Sequence, residues 1–497
     1  MGSRRVVIVG AGVGGLAAAA LLAARGLDVT ICERAAAPGG KMRQVAIGDA
    51  QVDAGPTVLT MRWVFDEIFD DAGGSLDSAI RLHPADLLAR HAWNADERLD
   101  LFADLDHSAE AIAAFSTGDD AQGFLAFAAA ARDVYQTLEN SYLRATDPSP
   151  MSLVRGAGVG GLGGLMGIKP FSRLWSVLGT YFKDPRLQQL FGRYATYCGS
   201  SPFDAPATLM LVAHVEQAGV WLPEGGMHGL ARALAALAEK NGAACRYGAE
   251  VCETLVEQGR VCGVVLHTGE RIDADVVIVN ADAGALSAGL FGADAARAAP
   301  RLLPSERSLS AVTWKIVGRT EGFPLVHHSV FFSNDYPAEF RDIFGKGRLP
   351  QAPTVYICAQ DRDDQGNLAV PGEERLFCLV NAPARADRND PAPEDIERCE
   401  ERTFDALERC GLIIHRAPEK TVMTAPADFN RLFPATGGAL YGRATHGWRS
   451  AFQRPGARTK IPGLYLAGGG AHPGRVPMAA LSGRLAAASI LKDLASM

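Results

Sequence analysis

The chain has 497 residues, of which 48% are hydrophobic and 21% charged, and its formal net charge is −7. That length exceeds one ordinary hydrophobic core and suits two or three packed domains; the acidic balance provides no overall basic field, so no nucleic-acid partner is expected. The nine cysteines are scattered singly from Cys32 to Cys410, without CxxC spacing or an accompanying histidine cluster, which argues for reduced thiols and against a disulfide framework or a metal site.

Arg4-Arg5 precedes an uncharged run from Val6 to Ala24 that a hydropathy scan would read as a signal or a membrane span. Its internal order says otherwise. Arg4–Val9 is a short β-branched run, read as a buried parallel strand. It enters Gly10-Ala11-Gly12-Val13-Gly14-Gly15, followed by the helix formers Leu16–Leu22, with Gly26 as a C-cap. Asp28–Glu33 reads as a second strand ending in an acid. Gly10 permits the tight turn, Gly12 a close approach to a pyrophosphate, and Gly15 close packing of the helix on the sheet. The helix N-terminus offers N–H groups to phosphates, and Glu33 is in register for ribose hydroxyls. No other stretch reaches spanning length without charge, so no transmembrane helix is expected.

Next come Pro38-Gly39-Gly40-Lys41-Met42-Arg43 and Asp53-Ala54-Gly55-Pro56-Thr57-Val58. The glycine fingerprint, the acid, the glycine–basic element and D-x-G-P-T together resemble the opening of the amine-oxidase-type flavoproteins, in the carotenoid desaturase branch of the bacterial phytoene desaturase type. The resemblance runs along nearly the whole chain. It takes in Gly219–Met227, Ala249–Val251, Ala274–Asp282, His327–Tyr336, Pro353–Tyr356 and the tail Gly463–Gly474 with its following helix. Asp53–Phe65 and Phe191–Gly199 are most similar to the 1-hydroxycarotenoid 3,4-desaturases of purple bacteria.

This resemblance implies an α/β fold: a Rossmann-type FAD-binding domain, a mixed-sheet substrate domain and a helical cap. The corresponding division is 1–80, 219–300 and 440–497 for FAD, 81–103 and 301–439 for substrate, and 104–218 for the cap. It implies FAD held by Gly10, Gly12, Gly14, Gly15, Glu33, Arg34, Gly40, Lys41, Met42, Thr57, Val58, Val251, Asp282, Gly468, Gly469, Val476, Pro477 and Met478. The tail departs from the family pattern: Gly474 is followed by Arg475-Val476-Pro477, without the usual second glycine, and this shorter loop would set Arg475 beside the cofactor. The implied reaction removes a hydride from an allylic CH₂ and a proton from the next carbon of an acyclic carotenoid. Charge delocalised into the polyene relaxes the need for a strong base, and the residues nominate none beyond the candidates His472, His328 and Arg475, followed by Asp335 and Arg443. On an apolar strand His327 and His328 are expected to face opposite ways. The aromatics Trp175, Tyr181, Phe182, Phe191, Tyr194 and Tyr197 are expected mainly in the core.

A second glycine run, Gly156–Gly161, follows no clear strand and has no acid in register, so it is rejected as a nucleotide site. An apolar substrate dissolved in a bilayer requires monotopic contact with a membrane surface, and Gly156–Ile168, flanked by Arg155 and Lys169, is the candidate segment. No second dinucleotide site is visible, so oxygen or a quinone is the expected electron acceptor. Phytoene desaturation is the alternative activity; a general amine or porphyrinogen oxidase and a non-catalytic prenyl-binding escort of the GDP dissociation inhibitor type are the other readings.

Overall fold

The computed structural model describes residues 4–146, 148–151, 153, 169–474 and 477–496. The first strand, Arg5–Val9, is the middle of a five-stranded parallel sheet. Asp28–Glu33 and Ala244–Tyr247 lie on one side of it, Val276–Val279 and Leu464–Leu466 on the other. Segments far apart in sequence thus build one sheet, and the last strand comes from the tail.

The uncharged run that imitates a membrane span is the helix Val13–Ala23, all of whose residues are buried. It needs no polar face because it is covered on every side: by the sheet, by Gly226–Lys240, and by Met478–Ala495. The contact with the last helix is backbone-close. A Cβ on Gly483 would fall 2.0 Å from the Gly14 carbonyl oxygen, so a side chain there would force the helices apart.

A second sheet of eight strands is mixed. Its long strand Ser310–Glu321 pairs antiparallel with Glu374–Ala382, which pairs with Val355–Ala359 and then His328–Phe331. Leu87–Ala92 joins His328–Phe331 in parallel. The helices Leu105–Phe115, Gly118–Leu138, Leu174–Tyr181, Pro185–Gly192 and Leu211–Gln217 share a core with this sheet through Val330 and Phe332. Phe182, Phe191 and Tyr194 lie buried in that core, in line with the expectation for the cap aromatics. Among the described residues no helix is long and apolar enough to cross a membrane. The Gly156–Ile168 stretch, with the rejected Gly156–Gly161 motif, lies outside the described residues, as do Arg475 and Val476.

Candidate cofactor and substrate site

The carboxyl end of the parallel sheet opens into a cavity of about 610 Å³. Gly10 turns the chain out of the first strand at φ +99°, a conformation that disfavours any residue with a Cβ. The helix Val13–Ala23 then begins with no side-chain cap and no acid in its first turn. Its leading N–H groups are therefore available to an anion. Asn280, at the end of Val276–Val279, clamps this turn by donating from Nδ2 to the carbonyls of Gly10 (3.0 Å) and Gly12 (3.3 Å). Asn280 falls within the family-like segment Ala274–Asp282 but carries no sequence-based role; its signal is a polar residue closing a buried strand.

Glu33 is buried at the end of the second strand. Its two oxygens accept from the backbone N–H of Ala11 (2.7 Å) and Ala35 (2.8 Å), which fixes the carboxylate at the cavity wall. Lys41 donates from Nζ to the Leu440 carbonyl at 2.6 Å. Burial lowers its pKa, partly countered by the charge of Asp282. Asp282 caps Ala283–Ser287 by accepting from Gly284 N at 2.9 Å. Arg34 lies at the rim and donates to the Arg431 and Leu432 carbonyls.

The D-x-G-P-T segment is anchored at both ends. Asp53 Oδ2 accepts from Met227 N at 2.6 Å at the start of Gly226–Lys240, and Gln360 exchanges two 2.9 Å bonds with the Asp53 backbone. Burial raises the Asp53 carboxyl above its ordinary range. The loop so held presents Gly55, Pro56, Thr57 and Val58 to the cavity, and Thr57 Oγ1 is hydrogen-bonded to the Tyr356 hydroxyl at 2.7 Å.

Of the residues nominated from sequence for the cofactor, Gly10, Gly12, Gly14, Glu33, Arg34, Gly40, Lys41, Met42, Thr57, Val58, Val251, Asp282, Gly468 and Gly469 line this one cavity. Gly15 does not line it but packs beneath, where a Cβ would meet the Gly10 carbonyl oxygen at 2.3 Å. Pro477 and Met478 also stand back from the wall, and the last helix reaches it through Ala479.

The histidine candidates are not brought to the cavity wall. His472 is buried against Tyr142, with Nε2 2.9 Å from the Tyr142 carbonyl oxygen, and burial lowers its pKa to about 4. His328 lies behind Tyr356, its Nδ1 2.7 Å from the phenolic oxygen. Asp335 caps Tyr336–Phe340, and Arg443 pairs with Glu306 at 2.7 Å.

The expected divergence of His327 and His328 does not occur. The strand begins only at His328, so pleat alternation does not govern His327, and the rings meet edge to face at 4.6 Å. Together with Cys358 their ligand atoms lie within 4.8 Å of one another. This corrects the expectation that no cysteine keeps histidine company. The group lies within metal-binding spacing, and burial raises the pKa of the Cys358 thiol. All nine cysteines are free thiols.

A parallel sheet whose carboxyl end carries a glycine turn, an uncapped helix N-terminus and a buried acid defines a dinucleotide-binding domain. The model of the family of flavin-containing amine oxidoreductases matches residues 13–491. The chain belongs to this family, in its carotenoid desaturase branch, and its cofactor is FAD. It is 55% identical over 496 residues to a hydroxyneurosporene desaturase of Rubrivivax gelatinosus, covering 99% of this chain and 94% of the relative. It is 46% identical over 493 residues to a protein of the same name from Cereibacter sphaeroides, covering 99% and 98%. In fold it is similar to an oxidoreductase from Methanosarcina mazei of known crystal structure, with a TM-score of 0.62 at 17% identity, covering 98% and 100% of the two chains.

The residues fit the cofactor. The open helix N-terminus suits a pyrophosphate, the fixed Glu33 carboxylate retains acceptor capacity for ribose hydroxyls, and around Gly469 no atom lies within 4 Å of where a Cβ would stand.

Proposed function

We propose that this protein is a FAD-dependent desaturase that introduces the 3,4 double bond into an acyclic 1-hydroxycarotenoid. The observation that carries the reading is one continuous cavity. It runs from the glycine turn at Gly10–Gly14 to an apolar sheet floor at Phe377 and Leu379, in a chain related over its whole length to hydroxyneurosporene desaturases.

In this reading the Gly10–Gly15 turn and the N–H groups of Val13–Ala23 bind the pyrophosphate. Glu33 binds ribose and the Val251 backbone lies on the adenine side. Thr57, Val58, Gly468 and Gly469, which line the cavity, surround the flavin ring. Bound FAD supplies the acceptor for a hydride from an allylic carbon. The protein's part is to hold the polyene against that acceptor, exclude water with Phe377, Leu379 and Phe433, and fix the loop Gly55–Val58 through Asp53 and Gln360. The proton leaves the neighbouring carbon; none of His472, His328 and Asp335 is assigned to receive it.

The helical segment 104–218 serves as a cap over a substrate domain of 81–103 and 301–439, and 1–80, 219–300 and 440–497 form the cofactor domain. The enzyme collects its substrate as a monotopic protein on the cytoplasmic side of the inner or photosynthetic membrane. Large apolar side chains stand exposed on either side of the 154–168 segment: Met151 is 60% and Phe171 67% exposed, and Trp448 packs edge to face on Phe171. Oxygen or a quinone receives the electrons. The test is to incubate the FAD-loaded protein with liposomes carrying 1-hydroxyneurosporene or phytoene and to read polyene absorption. Lengthening of the hydroxylated chromophore supports the reading, and conversion of phytoene instead overturns it.

A further inference from the structure

The cavity wall is apolar at Phe377 and Leu379, yet one corner concentrates polar side chains, half-buried or buried. Arg193 and Tyr197 enter it from the segment Arg193–Cys198, Tyr356 from the sheet floor, and Tyr336 from the start of Tyr336–Phe340. Most of these groups satisfy one another. The Tyr356 hydroxyl is bonded to Thr57 Oγ1 and His328 Nδ1, both at 2.7 Å. The Tyr197 hydroxyl donates to Glu216 Oε1 at 3.1 Å, and Tyr194 donates to Glu216 Oε2.

Two groups are left over. Tyr336 is 4% exposed, and its hydroxyl has no hydrogen-bond partner although the residue lines the cavity. Trp175, Phe203, Phe332 and Phe340 surround its ring, so the phenol cannot swing away to find one. Arg193 forms no ion pair among the described residues. It makes one long bond, Nη1 to the Tyr197 hydroxyl at 3.4 Å, and its guanidinium lies over the rings of Tyr197 and Tyr356 at 5.1 and 5.5 Å. A guanidinium carries five N–H donors. A buried hydroxyl is costly unless a ligand meets it, and a half-buried cation with spare donors becomes so once a ligand displaces the water around it; a pure hydrocarbon meets neither.

We propose that Arg193 and Tyr336 form a subsite for the tertiary hydroxyl at the end of the isoprenoid chain, and that this contact selects hydroxylated over hydrocarbon substrates. The inference rests on the desaturase reading given above and adds the residues that read the oxygen. Arg193 donates to the hydroxyl oxygen, and the Tyr336 hydroxyl exchanges a hydrogen bond with it. The location suits the chemistry. A 1-hydroxyl lies only a few bonds from the C3–C4 bond, so its receptor must stand close to the flavin-side loop. Arg193 stacks on Tyr356, and Tyr356 is bonded to Thr57 of that loop. Anchoring the oxygen therefore sets which carbon–carbon bond is presented. Selection arises largely from the penalty on the wrong substrate, which would leave the Tyr336 hydroxyl without a partner and strip water from the spare donors of Arg193.

The experiment compares wild type, Tyr336→Phe and Arg193→Gln as FAD-loaded proteins on liposomes carrying 1-hydroxyneurosporene or neurosporene, with kcat/KM measured for each. Tyr336→Phe keeps the ring and removes an atom without a protein partner, so folding and flavin content should hold. The ratio of hydroxylated to hydrocarbon conversion should fall about 10-fold in Tyr336→Phe and about 100-fold in Arg193→Gln. A wild-type ratio in Tyr336→Phe overturns the subsite while leaving the desaturase reading intact. A wild-type enzyme that converts neither polyene, or neurosporene alone, overturns the desaturase reading itself.

Discussion

The glycine turn offers a test in which two neighbouring substitutions should fail in different ways. A methyl on Gly15 would stand 2.3 Å from the Gly10 carbonyl oxygen and 2.8 Å from Asn280 Nδ2. The first contact is backbone against backbone, so the helix must back off from the sheet by about 1 Å, an overpacking cost of about 1–3 kcal/mol. The better helix propensity of alanine returns at most about 1 kcal/mol. The shift also breaks the Asn280 clamp on Gly10 and Gly12. A methyl on Gly12 instead meets only the Asn280 side chain, Nδ2 at 3.0 Å and Cγ at 4.0 Å, which can yield, but Gly12 lines the cavity where the phosphates belong. Gly15→Ala should therefore lower the melting temperature of the flavin-free protein, whereas Gly12→Ala should melt with wild type and bind FAD about 10-fold more weakly or worse, a loss of about 1.4 kcal/mol. Thermal melts of the apoprotein and FAD titration by flavin fluorescence separate the two. Gly15→Ala with wild-type stability and wild-type affinity would refute the close-packing argument.

Other consequences follow from the same geometry. Glu33→Ala should weaken FAD binding about 10- to 100-fold by removing the ribose acceptor and freeing the N–H of Ala11 and Ala35; unchanged affinity in a titration would show that Glu33 only shapes the turn. Lys315 is fully buried, its Nζ bonded to Thr313 and Thr424, and burial lowers its pKa to about 7. Its unfolded form holds a proton up to an ordinary pKa near 10.5, so between those values the unfolded state binds more protons. This group then adds stability as pH rises from about 7 toward 10.5, by at most about 1.4 kcal/mol per pH unit. Lys315→Met should flatten that rise in melts taken across the window, and an unchanged slope would mean the amine stays charged. Phe171→Asp combined with Trp448→Asp should abolish flotation with anionic liposomes while leaving FAD content intact; unchanged flotation would exclude this face as the membrane contact.

The cofactor end was legible in the sequence because phosphate binding leaves a local mark. Gly10, Gly12 and Gly15 fall at fixed offsets between a strand and a helix, and Glu33 follows at the end of the next strand. The apparent membrane span at Val6–Ala24 could be dismissed on the same spacing, and its burial between the sheet and two helices explains why it carries no charge. The substrate end left only family-like segments, Phe191–Gly199, His327–Tyr336 and Pro353–Tyr356, with no spacing that says which side chains meet. Arg193, Tyr336 and Tyr356 come from three distant segments and meet only through the pairing of the mixed sheet and the seating of the helices against it. Arg193 falls in the family-like segment Phe191–Gly199, but nothing in that segment tells which way its guanidinium points. The histidines misled for a related reason: His328 and His472 sit in recognisable motifs, yet one lies behind Tyr356 and the other packs on Tyr142. A motif gives a residue's neighbours along the chain, not the direction in which its ring points.

The central claim, desaturation of a hydroxylated polyene at a single FAD, is tested most directly by one anaerobic turnover. The FAD-loaded protein is mixed with excess 1-hydroxyneurosporene in liposomes, with oxygen and quinone removed, and the flavin and polyene absorbances are followed together. Bleaching of the flavin in step with one equivalent of lengthened polyene is the result expected. A flavin that stays oxidised while the hydroxylated polyene remains unchanged would contradict the account.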